Sequence, residues 1–204
     1  MRIRMWMRLV GLLLVGVVLA ACAERRVEGT KTPSDPKLSR FSYIEEGSLV
    51  ALVASSRPTR YRLSRAYVPL EIAVANKGIK TLTLTRESFT LRDDQGKQYP
   101  AVGRDELSRA YGNTDIDRRL GDAGSFVNRR FASYEVVSSN FTPGFDRPIA
   151  RDHIQLPRFS YLLDFLYFPR PEGDLAGRAL ELVMRAPELP DPVFVRFRVE
   201  GQGK

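Results

Sequence analysis

Beyond residue 41 the chain is dominated by apolar positions that alternate with polar ones at a period of two, the signature of strands with one buried face. Leu49-Val50-Ala51-Leu52-Val53, bounded by Gly47-Ser48 and Ser55-Ser56, predicts a first short strand. Val68, Leu70, Ile72 and Val74 then alternate with Pro69, Glu71, Ala73 and Ala75, and Asn76-Lys77-Gly78 supplies a turn. Leu82 and Leu84 alternate with threonines, and Phe89 and Leu91 with Ser88, Thr90 and Arg92. Asp93-Asp94-Gln95-Gly96-Lys97 closes a hairpin in which Gly96 is free to take positive φ, and Lys97-Gln98-Tyr99 starts the returning strand. Near the C-terminus Leu180, Leu182 and Met184 mark one strand and Val193, Val195, Phe197 and Val199 another, joined by a connection stiffened by Pro187, Pro190 and Pro192. About seven to nine strands follow, enough for an all-β sandwich.

Two stretches break this regularity. Residues 159–168, between Pro157 and Pro169, are the most apolar of the chain after the leader. As a ten-residue strand they present Phe159, Tyr161, Leu163, Phe165 and Tyr167 on one face and Ser160, Leu162, Asp164, Leu166 and Phe168 on the other. Both faces are largely apolar, so one belongs to the core and the other must be hidden by a long loop, a partner or a ligand. A helix over the same residues is the competing assignment. Asp164 in this setting requires a partner, for which an arginine from the loop is the candidate. The loop is residues 103–149. Asp105 can cap a short helix running to Arg109 and stopping at Gly112, residues 113–124 carry little apolar content, and residues 126–140 have a β-rich composition without clean alternation. Tyr111, Phe126, Arg129, Arg130, Phe131, Tyr134, Phe141, Phe145 and Arg147 concentrate aromatic and guanidinium groups there, which suits either a binding hot spot or a cover for the sandwich.

The N-terminus changes where this domain is expected to work. Arg2, Arg4 and Arg8 precede an apolar run from Leu9 to Leu19, the layout of a secretory leader and too short to span a bilayer. Leu19-Ala20-Ala21-Cys22 resembles the bacterial lipobox, in which the cysteine is acylated and becomes the first mature residue. The resemblance implies lipidation at Cys22, a membrane anchored by its acyl chains (palmitate among them) and a domain outside the cytoplasm. An aspartate after that cysteine favours retention at the inner membrane in this class; the residue here is Ala23, which implies the outer membrane of a two-membrane cell, facing the periplasm. Residues 1–21 are thus the signal peptide, residues 22–40, polar and proline-interrupted, the lipidated N-terminus and flexible tether, and residues 41–204 a single domain.

Cys22 is the only cysteine, so its use as an anchor leaves the domain without disulfide, thiolate chemistry or thiolate metal site. The formal charge of +8 includes the three leader arginines; the remaining chain carries 29 basic and 24 acidic side chains, or +5. These bases are interspersed with acids and occur at most as pairs such as Arg118-Arg119 and Arg129-Arg130, so nucleic acid is not an expected partner.

Residues 67–102 are similar to immunoglobulin-like domains of bacterial extracytoplasmic lipoproteins, the telokin-like group among them. The likeness lies in a strand ending Asn76-Lys77-Gly78, two short strands, and Asp93-Asp94-Gln95-Gly96-Lys97-Gln98-Tyr99. It implies an immunoglobulin-like β-sandwich and says almost nothing about function, since such sandwiches host unrelated roles.

Chemistry is sparse. His153 is the one histidine, its neighbour Asp152 points the other way on a strand, and no Gly-x-Ser-x-Gly elbow accompanies it. Asp93-Asp94-Gln95-Gly96 is too short for an EF-hand loop and lacks its distal glutamate, so a hairpin turn is expected and no metal site. No cofactor is expected and no enzymatic activity. The expected function is non-covalent binding by a lipid-anchored structural or assembly factor of the cell envelope, with an envelope protein as partner and Arg129, Arg130, Phe131, Tyr134, Leu162, Asp164, Leu166 and Phe168 as contact surface. The alternatives are a carrier of a lipid or hydrophobic small molecule, and a hydrolase of envelope polymers using paired carboxylates, whose separation no sequence spacing reveals.

Overall fold

A computed structural model describes residues 39–142 and 151–201; the leader, Cys22 and most of the tether lie outside the described residues, as do Phe145 and Arg147. Among the described residues eleven strands form, β1 (Ser42–Glu46), β2 (Val50–Ser55), β3 (Tyr67–Asn76), β4 (Thr81–Thr85), β5 (Phe89–Asp93), β6 (Gln98–Pro100), β7 (Glu135–Val136), β8 (His153–Pro157), β9 (Ser160–Pro169), β10 (Ala179–Met184) and β11 (Val193–Arg198). Among the same residues four α-helices accompany them, α1 (Arg57–Arg60), α2 (Arg104–Ala110), α3 (Thr114–Leu120) and α4 (Ala123–Arg130), with one 3-10 turn at Arg86–Ser88. One sheet has the order β1-β2-β3-β9-β7, the second β11-β10-β5-β6, and β4 and β8 make a separate pair. The fold is an all-β sandwich with a few short helices. β1 and β8 were not singled out by the sequence pattern, although Ile154 and Leu156 of β8 do alternate with exposed neighbours.

The core between the sheets is built from the alternating positions already named. Leu52, Leu70, Ile72, Val74, Leu162, Leu166 and Phe168 of the first sheet meet Phe89, Leu91, Leu180, Leu182, Met184, Val195 and Phe197 of the second, with Leu82, Leu84, Ile154 and Leu156 of the β4/β8 pair closing one side. Every residue of β3 is buried, because the sheet is covered on both faces. Opposite the core, α4 lies on a floor of small residues: Ala51, Ala73 and Ala75 pack with Ala123, Phe126, Val127, Phe131 and Tyr161. Next to it, Tyr67, Phe165 and Tyr167 pack with Val102, Leu107 and Tyr111 of the insertion. The architecture is therefore three layers: sheet, sheet and a cover of helices.

The ten-residue apolar stretch is a strand rather than a helix, and pairs with β3 over its whole length, from Tyr67 opposite Pro169 to Asn76 opposite Ser160. The insertion is less β-rich than its composition suggested. Residues 123–130 are helical, and among the described residues the only strand it contributes is the two-residue β7, parallel to the start of β9. α2 forms where the short helix was expected, but Gly103 occupies its N-cap and Asp105 sits in the first turn.

The hairpin at residues 93–97 shows what the Asp-x-x-Gly-Lys-x-Tyr pattern does in this chain. Asp93 Oδ1 accepts the backbone N–H groups of Gln95 (3.0 Å) and Lys97 (2.9 Å), and Oδ2 accepts the Tyr99 hydroxyl (3.0 Å). Gly96 turns the chain at φ 84°. Burial opposes ionisation of Asp93, but these donors and the Arg178 charge at 3.3 Å outweigh it and hold the carboxyl below its usual range. With its oxygens so occupied, Asp93 locks a turn.

Candidate functional site

Three carboxylates are buried, and each fastens one part of the insertion. Glu71, on the outward face of β3, accepts the backbone N–H groups of Asp122 (2.7 Å) and Ala123 (2.8 Å) at the start of α4. The chain passes it at Gly121, where a Cβ would come within 2.8 Å of the Glu71 carboxylate. Asp117 of α3, fully buried, accepts the Tyr111 hydroxyl at 2.6 Å and Arg62 Nε at 2.8 Å. Asp164 of β9 accepts the backbone N–H groups of Phe141 and Phe165, both at 2.8 Å, and lies 3.6 Å from Arg118 of α3. The expected pairing of Asp164 with an arginine from the insertion is met by Arg118. Burial pushes all three carboxyls above their ordinary values, because removal from water penalises the charged form more than these donors repay.

This arrangement corrects part of the expected contact surface. Leu162, Asp164, Leu166 and Phe168 are at most 1% exposed and face the sandwich core or the underside of the insertion. Alternation identified the two faces of β9 correctly, but the face carrying these residues is the core, and the face with Tyr161, Phe165 and Tyr167 is hidden by the chain's own helices. Phe131 is likewise 3% exposed, packed beneath α4. The remaining three stay near the surface: Arg129 and Arg130 are exposed at the end of α4, and Tyr134 is half-buried.

What the structure brings together instead is an aromatic and basic ridge at one end of the sandwich. Phe131 and Tyr134 stand with ring centres 5.3 Å apart, and Tyr134 meets Phe159 edge-on at 5.7 Å. The Arg158 guanidinium covers the Phe159 ring at 4.6 Å, and Arg130 approaches Phe131 at 5.9 Å. Phe159 is half exposed and Val136 beside it is 63% exposed. Arg158 and Phe159 form the two-residue connection between β8 and β9, and Phe159 takes φ 59°, the left-handed region, unlike any other non-glycine residue among those described. A bulky side chain there costs about 1–2 kcal/mol relative to a right-handed conformation. The turn is held by Phe159 N–H to Asn76 O (2.8 Å), Arg158 N–H to Lys80 O (3.2 Å) and Glu135 N–H to Phe159 O (3.0 Å). No hydrophobic period announces such a ridge. A hint lies in the two residues that separate the Pro157 and Ser160 ends of β8 and β9, too few for anything but a tight turn.

At the same end, the β1–β2 turn and the β10–β11 connection enclose an open cleft of about 220 Å³. Leu49, Val50, Leu189, Pro190, Pro192, Val193 and Phe194 give it apolar walls, Glu45 and Asp191 supply the charged side chains, and among the described residues no basic one lines it. Leu49 is 38% exposed there. The ridge and the cleft flank the same stretch of β3, since Lys77 N–H reaches Leu49 O (2.8 Å) while Asn76 O receives Phe159 N–H.

The N-terminal segment enters the sheet midway along β3. Asp122 accepts the hydroxyls of Ser39, Ser42 (3.3 Å) and Ser55 (2.5 Å), tying the first described residues to the root of α4. His153 is exposed at the first position of β8, opposite Thr85, while Asp152 turns to Arg86 at 3.5 Å. Among the described residues no group of three or more histidine, cysteine, aspartate or glutamate side chains is placed to hold a metal ion.

No family model matches the chain, and no curated protein matches it. Among solved structures the chain is similar to the candidate lipoprotein YcdA of Bacillus subtilis, at 13% identity and TM-score 0.41, over 76% of this chain and 38% of that one. It is also similar to YjhA of Bacillus subtilis, at 8% identity and TM-score 0.39, over 76% of this chain and 95% of that one. A DUF4426 family protein of Pseudomonas aeruginosa follows at 8% identity and TM-score 0.33, over 80% of this chain and 98% of that one. The chain spans well under half of YcdA. Likeness at this level carries no role from one protein to another.

Proposed function

We propose that the protein is a lipid-anchored component of the cell envelope, facing the periplasm from the outer membrane, that acts by non-covalent contact as a structural or assembly factor. The observation that carries this reading is the division of its side chains: the buried carboxylates are spent on fastening the insertion, whereas Arg130, Tyr134, Arg158 and Phe159 form a solvent-facing ridge at one end. The lipobox-like Leu19-Ala20-Ala21-Cys22 supports the anchor, and none of the described helices is long and apolar enough to cross a membrane. No enzymatic step is assigned to it. Metabolic labelling with palmitate tests the anchor: the natural chain should take up label and sediment with outer-membrane fractions, and the Cys22→Ser chain should do neither. Unchanged labelling and fractionation of that variant would refute the anchor. Cross-linking in intact cells tests the contact role, which is lost if the mature protein is recovered only as an uncomplexed monomer.

A further inference from the structure

The ridge and the cleft complement one another. A cavity of about 150 Å³ accommodates a benzene ring, so a cleft of about 220 Å³ accepts one aromatic side chain and little more. It is also smaller than the roughly 300–1,000 Å³ usual for small-molecule sites. Among the described residues its charged lining is acidic only, on a protein whose formal charge is +8, and this selects a side chain that arrives with a cation beside it. The chain itself displays that combination in Arg158 and Phe159: an aromatic ring half exposed to water with a guanidinium stacked on it. The left-handed backbone of Phe159 adds a second argument, because the strain is spent to project a ring that gains little from burial in the monomer.

We infer that this end of the sandwich is a homodimer interface, in which Phe159 of each copy enters the cleft of the other and Arg158 meets Asp191. Ridge and cleft sit at one end of the molecule on either side of Asn76 and Lys77, so a two-fold axis through that end satisfies both contacts at once and the assembly closes. The occupant is a second copy rather than a foreign chain, because one surface carries both halves of the match. This inference rests on the contact-making role and names its partner.

The test uses the full chain with Cys22→Ser, so that the only thiols are those introduced. Two differently tagged chains, one Phe159→Cys and one Leu49→Cys, are mixed and oxidised. A mixed disulfide dimer is expected, at least about tenfold more abundant than from Leu49→Cys mixed with Ala176→Cys, an exposed position at the opposite end. In sedimentation, Phe159→Gly should weaken self-association by about tenfold or more with the unfolding midpoint retained, since glycine suits φ 59°. Asp191→Arg and Arg158→Asp should each weaken it similarly, and the two together in one chain should restore it. A chain that stays monomeric at every concentration, equal cross-linking to Ala176→Cys, or a double variant no better than the singles overturns the interface. A monomer that is still recovered with another envelope protein overturns self-association alone and leaves the contact role standing.

Discussion

The sharpest stability prediction concerns Asp117, which joins α3 to the end of α2 through Tyr111 and to the segment between α1 and β3 through Arg62. Replacing it with asparagine keeps the shape of the side chain and removes the charge. The carboxylate is fully buried and Arg62 is only 13% exposed, so the variant leaves a guanidinium largely out of water with its counter-ion gone. Breaking a buried pair from one side costs about 3–5 kcal/mol. The charge-assisted bond from the Tyr111 hydroxyl, worth about 1.5–3 kcal/mol, is weakened as well, but the two losses share one carboxylate and do not add. We therefore expect Asp117→Asn to lose about 3–4 kcal/mol, which for a domain of this size lowers the melting midpoint by about 10 °C. Urea unfolding is the assay, with the midpoint shifting at constant slope. The companion variant Asp117→Leu with Arg62→Met removes both charges, and should recover to within about 1 kcal/mol of the natural chain, because replacing a buried pair by apolar groups is close to neutral. A loss below about 1 kcal/mol in the single variant, or a double variant as unstable as the single one, would refute the account of α3 as held by this ion pair.

The three buried carboxyls together set a pH dependence. Their folded-state values lie above those of the unfolded chain, so the native state binds more protons in the interval between; their contribution to stability is complete below about pH 4 and is lost as pH rises through the folded values. Asp93, held low, acts in the opposite direction and withdraws its contribution only as pH falls below about 4. The urea midpoint should accordingly be higher at about pH 5 than at about pH 7.5, with Glu71→Gln flattening the slope; a midpoint that rises over that interval would contradict the burial described. Leu162→Ala separates a core position from a contact position: a cavity in the sandwich should cost about 2–5 kcal/mol, whereas truncation at an exposed contact would cost less than about 0.5 kcal/mol.

Much of the sandwich was legible from alternation, because a face that must be dry leaves a period of two in β3, β5, β10 and β11. The same rule showed that β9 is covered on both sides, and it demanded a partner for Asp164. It could not say which face of β9 the core takes, since Leu162, Leu166 and Phe168 are as apolar as Tyr161, Phe165 and Tyr167; only the neighbouring strands and α4 decide that. α4 itself was hidden for a different reason. Gly124, Ser125, Phe126 and Val127 are indifferent helix formers, and the helix forms here on a floor of alanines with Glu71 satisfying its first N–H groups, residues some fifty positions away. The ridge was missed because its key property, the backbone sign of Phe159, is imposed by bonds to Asn76, Lys80 and Glu135 and leaves no trace in composition.

The Asp122 clasp has a mechanical consequence. Ser39 enters beside Ser42, which lies opposite Ser55, in turn opposite Glu71 and Phe165, so the chain enters the sheet some five residues, about 17 Å, from the Ser160 end. Tension applied between the N-terminal side and the Phe159 end therefore runs obliquely, about 17 Å along the strands and about 14 Å across the three spacings from β1 to β9, and its lengthwise component loads β1 along its own axis. The five register pairs of β1 with β2 resist it side by side, in shear, instead of opening one after another as a zip would. An edge strand that would peel readily under a sideways pull is thus oriented to withstand a lengthwise one.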